Sequence, residues 1–295
     1  MKTIAIDMDG TLLHEDGYIT KENATALEKL QENGDKVVIA TGRGMPDVQR
    51  LLKEVNVKPD GVISLNGAII SWGEEIIREV HMIREDAVAL MHWLDEQQIY
   101  YHAYTNKGIY TPPQSSDYFR SDLDAFTATL DNGNEVNERI WNVAEGHRRK
   151  SKMKDLPTPE FIEENQITVY KFLILSMLGE KLQECRNSWE DQESIHITSS
   201  GRDNLEIMHP NTQKGIGLMH LTEHAGLSMD KTYAIGDNFN DLPMFEKAAT
   251  SIAMGNAEPE VKKAAMFETT HHNESGVAHA IETFVLNTPA GSSLT

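Results

Sequence analysis

Ile4-Ala5-Ile6-Asp7-Met8-Asp9-Gly10-Thr11 begins with three apolar residues and continues into two carboxylates two positions apart, followed by a glycine. The apolar run with Thr3 reads as a short strand, Thr3–Ile6. The acidic turn then falls at that strand's C-terminal end. In open α/β sheets ligands bind beyond that edge, so whether this strand belongs to a parallel sheet decides what Asp7 and Asp9 can do.

The flanking sequence answers with alternating helix and strand signals. Thr20–Asn33 reads as a helix with Ala24, Leu27 and Leu30 on one face, Thr20 as cap and Gly34 as terminator. Val37–Ala40 reads as a strand, Pro46–Val55 as a helix with proline in its first turn, and Val62–Leu65 as a third strand. This order implies parallel pairing, and the continuous apolar character of Val37-Val38-Ile39 suits strands covered on both faces. The end of the chain repeats the pattern: helix Thr212–Ala225, strand Thr232–Ile235, helix Leu242–Lys247, strand Ser251–Met254, and helices Pro259–Ala265 and Gly276–Val285. Pro289–Thr295 is small and polar and reads as a frayed tail.

The middle differs. Arg84–Gln97 and Glu180–Trp189 read as helices, Ile99–Tyr104 with Gly108–Thr111 as a hairpin, Val169–Leu175 as a strand, and Ile195–Thr198 with Leu205–Met208 as a second hairpin. Hairpins make antiparallel sheet, so this is an α+β insertion. Pro112–Lys154 is polar and helical only in pieces. The expected organisation is an α/β core over 1–81 and 209–295, interrupted by an α+β domain over 82–208.

Composition restricts the partners. The 295 residues carry 27 basic and 46 acidic side chains, a formal charge of −19. Nucleic-acid binding needs a basic stripe. The one basic run, His147-Arg148-Arg149-Lys150 with Lys152 and Lys154, is short and reads as a solvated face. No stretch is long and apolar enough for a membrane span, and Asp7 and Asp9 interrupt the first apolar run, so neither a membrane protein nor a signal peptide is expected. The single cysteine, Cys185, suits the cytoplasm and reads as a small buried apolar group.

Asp7 can attack phosphorus, splitting one hard hydrolysis into two steps through an aspartyl-phosphate, and Asp9 can serve as acid and base. A turn whose acids only satisfy backbone donors is the plainer alternative. Three further stretches follow strands of the same sheet. Thr41-Gly42-Arg43 places a hydroxyl after the second strand. Lys214 falls in the first turn of a helix, where a cation opposes the macrodipole unless an anion is near. Gly236-Asp237-Asn238-Phe239-Asn240-Asp241 sets acids and amides after another strand, as Mg²⁺ requires; a Ca²⁺ loop lacks the closing glutamate it needs. His271-His272 has no companion ligands and reads as a surface loop, and the tyrosines at 100, 101, 104 and 110 read as packing.

In this order and spacing the stretches resemble the four motifs of the haloacid dehalogenase superfamily of phosphohydrolases: Asp7–Thr11, Thr41, Lys214 and Gly236–Asp241. The insertion between the second and third motifs resembles the Cof-type branch with a IIB cap, as does Ser64-Leu65-Asn66-Gly67-Ala68. The resemblance implies a Rossmann-like core and a cap that closes over the site and selects the substrate. It implies Asp7 as nucleophile and metal ligand, and Asp9 as acid/base whose backbone carbonyl also binds Mg²⁺. Asp237 would bind the metal directly, with Asp241 in support. Thr41, Gly42 and Lys214 would hold phosphate with Asn240 near, and Arg43 and Asn66 would lie at the edge. Arg202 would be a specificity candidate. The implied substrate is a small phosphorylated metabolite such as a sugar phosphate. A phosphomutase of the same build and a non-catalytic phospho-metabolite binder remain as alternatives. A phospho-accepting receiver module fits poorly, since it needs neither Asp9 nor the insertion.

Overall fold

β1 (Thr3–Ile6) is buried at all four positions and lies inside an eight-stranded sheet. After it come α1 (Lys21–Glu32), β2 (Lys36–Ala40), α2 (Met45–Glu54) and β3 (Gly61–Ser64), then β4 (Ile69–Trp72) and β5 (Glu75–Glu79). The helix ends follow local chemistry: Thr20 caps α1 by accepting the Asn23 N–H, and Pro46 occupies the first turn of α2. This computed structural model describes residues 1–150 and 152–287, so the tail expected at Pro289–Thr295 lies outside the described residues.

The chain then builds a second unit, His81–Pro210, before returning at Asn211 to the unit begun by Met1–Val80. The second unit holds α3 (Arg84–Glu96), β6 (Tyr100–Thr105), β7 (Gly108–Thr111), α4 (Ser115–Thr127), α5 (Gly133–Lys150), β8 (Lys154–Asp155), α6 (Phe161–Glu164), β9 (Val169–Leu175), α7 (Gly179–Trp189), β10 (His196–Thr198) and β11 (Asn204–Met208). After it come α8 (Lys214–His224), β12 (Thr232–Gly236), α9 (Leu242–Lys247), β13 (Thr250–Ala253), α10 (Pro259–Ala264), β14 (Phe267–Glu268) and α11 (Gly276–Ala280). The helical path of α11 continues through Ile281–Leu286 in wider turns.

The large sheet runs β14-β13-β12-β1-β2-β3-β4-β5, parallel from β14 to β3. Successive strands depart from β1 in one direction, while β12 to β14 depart in the other. The boundary between β1 and β12 is therefore the topological switch point, where the loops after two adjacent strands diverge and leave a crevice. The core is continuous through Ile4, Ile6, Val38, Ile39, Ile235 and Ile252, all fully buried. The antiparallel β4–β5 extension was not among the sequence expectations. Ile69-Ile70-Ser71-Trp72 and Glu75-Ile76-Ile77 flank the Gly73-Glu74 turn, a hairpin signal hidden by its place directly after Ser64–Ala68.

The second unit has its own six-stranded sheet, β10-β11-β9-β6-β7-β8, and its own core. Leu90 and Leu94 of α3, with Leu182 and Cys185 of α7, pack with Tyr101, Phe172, Ile174 and Ile207 of the strands. Cys185 is fully buried, and burial pushes its thiol up to about 12, so it is the inert apolar filler expected. Tyr100 turns to the opposite face, against Phe119 and Leu123. On that face Lys171 and Glu206 form a buried ion pair at 2.7 Å. Within Pro112–Lys154, α4 and α5 supply the order the sequence left open.

Candidate active site

Asp7 is the first residue beyond β1, its N–H donating to the Ile235 carbonyl of β12 at 3.0 Å. The chain then turns tightly: the N–H groups of Leu12 and Leu13 return to the carbonyls of Asp7 and Met8. Gly10 makes the turn possible in two ways. Its φ is +74°, and a Cβ there would lie 2.4 Å from Asp237 Oδ2. Thr11 Oγ1 donates to Asp237 Oδ1 at 2.7 Å, so the first and fourth acidic stretches are bonded directly.

Lys214, the first residue of α8, is fully buried. Its ammonium donates to Asp7 Oδ1 at 2.7 Å and to Asp241 Oδ1 at 2.6 Å. These are the anions a cation at a helix N-terminus requires. The other oxygen of Asp241 accepts the N–H groups of Asp237 and Asn238, at 2.9 and 3.0 Å. Both oxygens of Asp241 are thus engaged: it fastens the Asp237 loop to Lys214.

Thr41 is fully buried beyond β2, and its hydroxyl accepts the Arg43 N–H at 3.1 Å, leaving its own proton to donate. Gly42 lies between them. The backbone of this loop ties to the next one, with Leu65 N–H donating to Arg43 O and Asn66 N–H to Thr41 O. Asn66 adopts φ +57°, a conformation asparagine tolerates better than most residues. Its side-chain oxygen faces Asn240 Nδ2 at 3.4 Å, while Asn240 Oδ1 is buried with no hydrogen-bond partner. Asp9 stands apart: its carboxylate is 57% exposed and is held by Arg43 through both oxygens. Arg43 also pairs with Asp47.

The carboxylates of Asp7, Asp237 and Asp241 bring one oxygen each within 4.8 Å of one another, all buried. Burial raises Asp7 well above the usual carboxylate range; Lys214 opposes this, and Asp241 and Asp237 add to it. Burial, then the charge of Asp241, pushes Asp237 up to about 7, with the Thr11 hydroxyl opposing. For Lys214 burial acts downward, but the facing Asp241 and Asp7 outweigh it and hold the ammonium above its usual value. Fully ionised, three acids and one ammonium leave a charge of −2. Hard oxygen donors with that deficit fit a divalent cation such as Mg²⁺.

Arg202, the specificity candidate, and the His271-His272 pair, read as a surface loop, lie outside this cluster. Arg202 lies in the turn between β10 and β11 of the second unit. His271 and His272 stack at 4.6 Å, and His272 Nδ1 donates to Leu13 O at 2.7 Å. Among the described residues, the three aspartates are the one group with metal-ligand geometry. Sequence reasoning assigned no role to Thr11 and passed over Asn256, whose amide reaches Gly10 O at 2.7 Å. Position was the available signal: Asn256 follows a predicted strand of the same sheet.

Asp7 and Thr41 lie beyond strands of the large sheet, whereas Lys214 enters from the start of α8, which follows β11 of the other sheet and not a strand of this one as expected. A buried acid, ammonium and hydroxyl brought together at a switch-point crevice have the chemistry that phosphoryl transfer needs. Residues 4–281 match the model of the haloacid dehalogenase-like hydrolase family. Over 283 residues the chain is 33% identical to 5-amino-6-(5-phospho-D-ribitylamino)uracil phosphatase YwtE of Bacillus subtilis, covering 96% of this chain and 97% of the relative. It is 32% identical to phosphatase YwpJ of the same organism, with coverage of 96% and 99%. The solved structure of a haloacid dehalogenase-like hydrolase from B. subtilis superposes with a TM-score of 0.85 at 31% identity, covering 97% of this chain and 100% of that one. The chain belongs to the haloacid dehalogenase-like hydrolase family. It is a phosphatase.

Proposed function

We propose that the protein hydrolyses a small phosphorylated metabolite by way of an aspartyl-phosphate on Asp7, with Mg²⁺ as cofactor. The observation that carries this reading is the bridge of Lys214 between Asp7 and Asp241 at full burial. Asp7, Asp237 and the backbone carbonyl of Asp9 would hold Mg²⁺, with Asp241 acting through the loop it fastens. When bound, the ion supplies charge neutralisation for the phosphoryl oxygens.

The remaining work belongs to the chain. Lys214 fixes Asp7 Oδ1, so attack on phosphorus falls to Oδ2. The Thr41 hydroxyl donates to a phosphoryl oxygen, with the N–H of Gly42 beside it, and Asn240 Oδ1 accepts from a bound ligand or water. Asp9 protonates the leaving oxygen, then takes a proton from the water that cleaves the acyl phosphate. Arg43 holds the rim, while Asn66, expected at the edge, is buried and accepts from the Asn240 amide.

The test is phosphate release from p-nitrophenyl phosphate and a panel of phosphorylated metabolites, in Mg²⁺ or EDTA. The panel includes sugar phosphates and the phosphoribitylamino-uracil named for the B. subtilis relative. Release should need Mg²⁺ and vanish in Asp7→Asn. Undiminished release by Asp7→Asn removes the nucleophile, and transfer of phosphate between two positions of a sugar without release identifies a mutase.

A further inference from the structure

The loop after β13, Met254 to Glu258, is bonded to both loops that carry the acids. Met254 N–H donates to Gly236 O at 3.0 Å and Glu258 N–H to Asp237 O at 3.1 Å. Between them, Asn256 Nδ2 donates to Gly10 O at 2.7 Å. The amide is itself held, because its Oδ1 accepts the His272 N–H at 2.9 Å. His272 also anchors the far end of the turn through Leu13 O.

The Gly10 carbonyl and the Thr11 N–H share one rigid peptide plane. Fixing that carbonyl fixes the plane from which Thr11 reaches Asp237 Oδ1. Gly10 sits at φ +74°, where a glycine without a tether has the freedom to leave. Bonds that close on both sides of the crevice hold the Asp7–Asp9 turn and Asp237 at one separation. We propose that Asn256 is a positioning residue for phosphate hydrolysis, setting the orientation of the Gly10 peptide and with it the spacing of Asp7 and Asp9 from Asp237. The proposal rests on the roles given to those acids above.

Asn256→Asp is nearly isosteric. It keeps an acceptor for the His272 N–H, removes the donor to Gly10 O and sets oxygen against oxygen. Asn256→Ala removes both bonds. At saturating Mg²⁺ both variants should lose roughly tenfold to a hundredfold in kcat, the range for a part-buried backbone acceptor left unpaired beside the reacting acids, with KM little changed. Asn273→Ala serves as the control: the Asn273 side chain accepts the Glu15 N–H beyond the turn, and its loss should leave kcat as it was. Hydrogen–deuterium exchange of the peptide over Met8–Leu13 gives a readout independent of activity, and should quicken in both Asn256 variants and not in the control. A residue that only stabilised the fold would lower Tm and leave kcat and this local exchange alone. Wild-type kcat or wild-type exchange over Met8–Leu13 in Asn256→Asp overturns the proposal. If the wild-type protein releases no phosphate, the functional reading fails, and the exchange measurement still decides whether Asn256 holds the turn.

Discussion

Arg43 grips Asp9 with a two-pronged bond, Nε to Oδ2 at 2.7 Å and Nη2 to Oδ1 at 2.6 Å. The proposed acid/base is therefore held at the rim by a cation that also pairs with Asp47, and it must release Arg43 to reach a leaving oxygen. Lysine cannot reproduce a planar fork. Arg43→Lys should lower kcat about threefold to tenfold while keeping Mg²⁺ dependence. Asp9→Asn should lose about a hundredfold or more yet retain substrate binding. Equal, small effects from the two variants would separate Asp9 from proton transfer.

The acid cluster predicts how stability responds to pH and metal. Burial and Asp241 raise Asp237 to about 7, far above its value in the unfolded chain. A raised carboxyl contributes stability that is fully present below the unfolded pKa and is lost as pH rises through about 7. Mg²⁺ binds the ionised form, so below pH 7 it competes with protons. The rise in Tm on adding Mg²⁺ should thus be larger at pH 8 than at pH 6, and should largely disappear in Asp237→Asn. An equal shift at both pH values, or one that survives the substitution, rules out this site as the place of binding.

How much of this was legible depends on whether a residue's role is local. Asp7, Thr41 and Asp237 each follow an apolar strand of the same sheet, so strand periodicity alone gathers them at one edge. Lys214 could be read from its misplaced charge at a helix start, and its anions are present. Asn256 could not be read this way. An asparagine after a strand is ordinary turn chemistry, and its partner Gly10 lies 246 residues away. The division of labour between Asp237 and Asp241 was also hidden, since only the bonds to both Asp241 oxygens reveal its fastening role. The stretch over α4 and α5 resisted reading because few apolar residues there pack inward, chiefly Phe119, Leu123, Ile140 and Trp141.

Gly236 closes β12 directly beneath Asp241. A Cβ there would stand 2.4 Å from Asp241 Cγ, and the carboxylate cannot step aside without giving up its ion pair with Lys214 and leaving two backbone N–H groups unpaired. Breaking a buried ion pair typically costs about 3–5 kcal/mol. Gly236→Ala should lower Tm clearly and reduce phosphate release more than tenfold. A variant with wild-type Tm and turnover would show that Asp241 has room to move and does not fix the loop.

Asp95 in α3 gives a prediction outside the active site. Burial pushes its carboxyl up to about 6, offset only in part by the nearby His92 and the Tyr101 hydroxyl. The sign follows from linkage: this group favours the folded state while protonated, and that contribution is lost as pH rises through about 6. Asp95→Asn keeps the shape and abolishes the titration. The Tm of Asp95→Asn minus that of the wild type should therefore be smallest near pH 4 and grow as pH rises through 6. It should level off above pH 7, because the wild-type carboxylate is by then fully ionised. Melting both proteins across that range, with EDTA present to keep metal binding out of the comparison, checks this. A Tm difference that stays flat or shrinks with rising pH would mean that burial does not strain the Asp95 charge.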